Sequence, residues 1–81
     1  MRDINRIDPF LQKLGEAWKK HPDFRFGQFI TNFFGAYKGD VWHLEEDEWM
    51  VAIQAFIDGK DMYEAVDEYR EAKWNKEQIY D

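Results

Sequence analysis

W-K-K-H-P-D-F-R-F-G-Q-F-I-T-N-F-F, residues 18–34, decides the fold of this chain. Trp18 closes one apolar-periodic segment, and a second begins a few residues later. Between them stands His21-Pro22-Asp23. A proline restricts the residue before it to extended geometry, so a helix running into His21 must stop there. Aspartate is a favoured N-cap, so Asp23 is expected to restart the chain as helix two. After it the apolar residues are Phe26, Phe29, Ile30, Phe33, Phe34 and Tyr37, the strongest helical pattern in the chain. Gly27 weakens the start of this helix and predicts close approach by another backbone, and Gly39 is expected to end it.

Working back from Trp18, Leu14, Leu11, Ile7 and Ile4 recur at alternating spacings of four and three. That is one face of a helix over about 3–20. Asp3 can cap it, Lys19 and Lys20 suit its C-terminal end, and Pro9 makes the backbone before it irregular. Alternatively Asp8 is the cap, with Pro9 in the favoured first position.

Working forward, residues 40–45, D-V-W-H-L-E, read as an ordered loop that lays Val41 and Trp42 against the core. Glu45, Glu46, Asp47 and Glu48 then complement the positive end of a helix dipole. Helix three is expected over about 46–58, burying Trp49, Ile53, Phe56 and Ile57, with Gly59 as its stop. Asp61 with Glu64 is a capping-box arrangement for helix four, over about 61–75, with Met62, Val66 and Tyr69 inward. Residues 73–81 are weakly amphipathic and expected to fray. The whole predicts a single all-α domain over 1–81, a compact bundle of about four short helices (about 3–20, 24–38, 46–58 and 61–75).

The core of a chain of 81 residues is marginal unless it is dense. Seven Phe, four Trp and four Tyr supply the density. They also exceed what so small a core hides, so some rings should reach the surface and favour a partner or a homodimer. The net charge of −6 is unevenly placed. Residues 1–39 hold seven basic and four acidic groups, net +3, and residues 40–81 hold four basic and thirteen acidic ones, net −9. Such a field disfavours direct nucleic-acid binding and favours basic partners, although acidity also keeps an aromatic-rich chain in solution.

With no Cys there is no disulfide framework or zinc-thiolate site. No signal peptide follows Arg2-Asp3, and no apolar run approaches the roughly 20 residues of a membrane span, which predicts a cytoplasmic protein. The chain has no Ser and a single Thr, Thr31, so acyl transfer by a Ser or Cys nucleophile is excluded. No Gly-rich phosphate loop is present. His43 with Glu45 and Asp47 could hold a divalent cation, but a solvated helix start accounts for the same residues. His21 could shuttle protons but reads more simply as a helix-end residue. Arg25 and Gln28 could line a pocket, or Arg25 could pair with Asp23 while Gln28 satisfies a backbone group. The expectation is no enzyme, no metal and no cofactor.

With these residues in view, Arg6, Ile7, Leu11, Leu14, Trp18, Pro22-Asp23, Phe24, Phe26, Gln28, Phe29 and Ile30 form a pattern. It resembles the opening of short bacterial proteins of the YihD-like kind and related small proteins of Firmicutes and their phages. The likeness covers about residues 2–34, and more loosely 40–50 through Leu44-Glu45-Glu46-Asp47-Glu48. It implies a small cytoplasmic helical domain and carries over no catalytic residues. The function expected is a small acidic interaction or regulatory domain, phage-related, that engages a host protein. The candidate partner-binding residues are Trp42, Glu64, Asp67, Glu68, Glu71, Trp74 and Tyr80. An inhibitor that mimics nucleic acid and a structural homodimer are the alternatives.

Overall fold

The computed structural model describes residues 2–79, with side chains to residue 75. Tyr80 lies outside the described residues. A short 3-10 turn, Ile4–Arg6, leads into four α-helices: α1 Ile7–Lys19, α2 Phe26–Tyr37, α3 Glu46–Asp58 and α4 Met62–Ile79. Among the described residues there is no strand, and the chain is an all-α bundle.

Asp3 caps the 3-10 turn, its Oδ1 accepting from the Asn5 amide at 3.0 Å. Regular α-helix starts only at Ile7, which makes Pro9 the third helical residue. The amides of a helix's first turn have no intrahelical acceptor, so the missing N–H costs nothing there. Asp8 is therefore not the cap. The apolar stripe of α1 is turned from its expected direction. Ala17 is fully buried, Phe10, Leu14 and Trp18 pack against the core, and Ile4, Ile7 and Leu11 are exposed. α1 packs mainly against α3, and its fully buried residue is Ala17.

His21-Pro22-Asp23-Phe24 is a tight turn closed by the Phe24 amide donating to the His21 carbonyl at 3.0 Å. Proline suits the second position of such a turn. The Trp18 indole Nε1 donates to the Phe24 carbonyl at 2.9 Å, tying the turn to α1. Because Asp23 is used inside the turn, it does not cap α2. Arg25 is the N-cap residue in extended geometry, and the Gln28 side chain accepts from its amide at 2.9 Å. Arg25 makes no ion pair with Asp23 among the described residues.

The α2 apolar residues split into two rows. Phe29, Phe33 and Tyr37 are buried, while Phe26 and Phe34 are exposed and Ile30 lies between. Six apolar positions span about 140° of arc at 100° per residue, wider than the stripe one core contact covers. The left-handed residue ending α2 is Lys38, with φ 61°, rather than Gly39. In the following loop Leu44 is the buried residue, and Trp42 is 86% exposed instead of tucked inward.

α3 occupies its expected span and ends at Gly59, whose φ of 72° suits a residue without a Cβ. Trp49 and Ile53 are buried as expected, joined by Ala52 and Ala55, while Phe56 and Ile57 are partly buried. Asp61 Oδ1 accepts from the Glu64 amide at 2.9 Å and starts α4, which buries Met62 and Val66. α4 continues helical to Ile79, past the expected end near 75. Each buried Phe, Ile or Val contributes about 1.5–3 kcal/mol relative to exposure. Phe33 is the hub, with ring centroids 5.2 Å from Phe56, 5.7 Å from Trp49 and 5.8 Å from Phe29.

Candidate interaction surface

The acids at the start of α3 are occupied within the fold. Arg2 Nη2 donates to Glu45 at 2.7 Å, and Arg6 Nε donates to Glu46 at 2.7 Å, which brings the N-terminal turn onto α3. Asp47 accepts from the Tyr69 hydroxyl at 2.7 Å and pairs with Lys73 at 3.3 Å. Glu48 accepts from Arg70 Nε at 2.5 Å and also from the Glu45 amide at 2.8 Å. These partners stabilise the charged carboxylates. Hydrogen bonds from Tyr69 and Arg70 hold Asp47 and Glu48 below the ordinary carboxylate range, and the Arg2 hydrogen bond does the same for Glu45.

The acids of α4 are different. Glu64, Asp67, Glu68 and Glu71 are exposed, and among the described residues their side chains make no ion pair or hydrogen bond. Their spacing of i, i+3, i+4 and i+7 puts them on one helix face. Trp74, 61% exposed, continues that strip three positions on. Residues 71–75 are all exposed, so this end of α4 runs clear of the core. The inward face of the same helix holds Met62, Val66 and the partly buried Tyr69. The structure therefore gathers five of the seven candidate residues on one strip.

Trp42 is not part of that strip. It sits on the loop between α2 and α3, where the Asp40 carboxylate accepts from the Trp42 amide at 2.9 Å and bonds His43 Nδ1 at 2.5 Å. The hydrogen bond to His43 holds the Asp40 carboxyl below its ordinary range. His43 is thus turned toward Asp40, while Asp47 faces α4. Among the described residues no three His, Asp or Glu side chains converge as a metal would need. His21 stacks on Phe24 at 5.3 Å and meets the edge of Phe56 at 5.5 Å, which makes it part of the packing under the turn.

A second surface has no counterpart among the sequence candidates. α1 and α2 come together at Trp18, which contacts Phe26 and stacks on Phe29 at 5.7 Å. Away from that junction they bound an apolar groove of about 270 Å³, walled by Phe10 and Leu14 on one side and Ile30 and Phe34 on the other. Phe33, Val41, Trp49 and the charged Glu46 also line it. The signal that could have found it is the excess width of the α2 apolar arc, which leaves one row more than the core needs.

No protein-family model matches this chain, and neither a curated protein nor a solved structure does. Among the described residues no helix is long and apolar enough to cross a membrane.

Proposed function

We propose that this chain is a non-catalytic interaction protein whose α4 strip engages a basic surface on a protein partner. One observation carries the reading. In a chain whose α3 acids are satisfied internally, Glu64, Asp67, Glu68 and Glu71 are left without partners beside an exposed tryptophan. Unpaired charges around an aromatic anchor suit the common design of an interface, in which the ring supplies affinity and the charged rim steers association. The setting proposed is the cytoplasm, with a host protein as the partner of a YihD-like, phage-associated chain. A partner that itself binds nucleic acid is the special case in which the strip takes the place of phosphates.

The test is affinity capture from the native host with the wild-type chain and with a variant reversing Glu64, Asp67, Glu68 and Glu71 to Lys. The wild type should retain a partner that the variant loses, with the helical circular-dichroism signal unchanged. Equal recovery by both chains would overturn the reading. Displacement of the partner by DNA or RNA, steepening as salt falls, would identify the phosphate-mimicking case.

A further inference from the structure

The N-terminal turn is bonded to α3 through its two arginines. The geometry points to residues 2–6 as an ionic strap that closes one end of the apolar groove and lifts off without unfolding the helices. Three observations carry this inference.

The first is what holds the strap down. The turn Ile4–Arg6 buries no residue, and Ile4 is 74% exposed. Its bonds to α3 are charged ones. Arg2 Nη2 donates to Glu45 at 2.7 Å, Arg6 Nε donates to Glu46 at 2.7 Å, and Arg2 Nη1 stands 3.5 Å from Glu46. All four side chains are partly exposed. A solvent-exposed pair shifts an equilibrium by only about 1.5- to 5-fold, so two of them favour the seated strap by about tenfold.

The second is the joint. In an α-helix each amide donates to the carbonyl four residues back. Proline has no amide, and its ring crowds that carbonyl, so Pro9 leaves the Asn5 carbonyl outside the α1 ladder. Ahead of Pro9 the chain is a 3-10 turn with bonds of its own. The Arg6 amide donates to the Asp3 carbonyl at 3.3 Å, and the Ile7 amide donates to the Ile4 carbonyl. The strap therefore meets α1 at a joint and is not a continuous extension of its ladder.

The third is what the strap closes. Arg6 stands four residues before Phe10, one turn earlier on the same face. Phe10 and Glu46 both line the groove. The Arg6–Glu46 bond thus spans from α1 to α3 at the Phe10 end, and its release opens that end to water.

The chain has no cysteine, so Ile4→Cys provides a single site for a nitroxide label on an exposed side chain. At about 10 mM salt, where charges act over roughly 30 Å, the label should broaden the amide resonances at the start of α3, from Glu46 to Trp49. At about 1 M NaCl the screening length is roughly 3 Å, and that broadening should fall about twofold with the helical circular-dichroism signal unchanged. Arg2→Gln combined with Arg6→Gln should produce the same fall at low salt, and added salt should then change nothing further. A neutral soluble paramagnetic additive should broaden the Phe10 ring more once the strap is released, and should leave Phe33, 1% exposed, as it was. Broadening of α3 that neither salt nor the double substitution alters overturns the inference, and so does its absence at low salt. Loss of helix together with the strap overturns it as well, as does a Phe10 ring that release leaves unaffected.

Discussion

Gly39 stands between two tyrosine rings. A Cβ at this position would lie 2.7 Å from Tyr37 Cε2 and 2.9 Å from Tyr63 Cδ2. Both rings belong to packed neighbours, their centroids 5.7 Å apart, and Tyr37 is only 2% exposed. Gly39→Ala should therefore cost about 1–3 kcal/mol, as overpacking does, read as a lower midpoint in urea unfolding. Gly15 is the contrast. It lies inside α1 with open space around its Cβ position, so Gly15→Ala should raise stability by about 0.5–1 kcal/mol in the same measurement. Composition cannot separate these two glycines. The clash at Gly39 exists because the Tyr37 ring lies over the end of its own helix and α4 brings Tyr63 beside it. Trp42 makes the same point in reverse. Its ring looks like core material in the sequence, yet Leu44 takes the buried position in that loop and leaves Trp42 outside.

The α3–α4 pair is held by charge as well as by packing. Asp47 and Glu48 bond Tyr69, Arg70 and Lys73 across the two helices, and these contacts depress both carboxyl pKa values from their ordinary 3.8 and 4.5. A carboxylate whose folded pKa is lowered stabilises the fold fully above its unfolded pKa and loses that contribution as pH falls through the folded value. Thermal melts should therefore be insensitive to these groups near neutrality and should drop once pH passes below about 4.5. Arg70→Met should remove part of that acid sensitivity and cost about 1 kcal/mol at pH 7, since the arginine is partly exposed and screened by solvent. At this scale the sequence was informative. The Asp61 cap, the Gly59 stop and the acidic start of α3 are local features, and local hydrogen bonding fixes them. The start of α2 was less legible because Pro22 and Asp23 were committed to a turn, and a turn and a cap use the same residue types.

For the whole molecule, stability rests on one aromatic cluster. Phe33 touches rings from both α2 and α3 and is 1% exposed. Phe33→Ala should cost about 3–5 kcal/mol. Against the roughly 4–12 kcal/mol expected for a domain this size, much of the chain should then be unfolded at 37 °C by circular dichroism. The sequence by itself determined the helical class, the four helices and the Pro22 break, because periodicity, caps and breakers act over a few residues. It also placed the α4 acids on one face, which follows from helix geometry alone. Only the tertiary structure decided which acids are left without partners, since Arg2, Arg6, Arg70 and Lys73 reach theirs across separations of 22 to 43 positions. It alone decided which apolar rows are covered. A periodic stripe states that a helix has an apolar face, whereas the packing of the helices on one another decides that Leu11, Phe26 and Phe34 stay exposed.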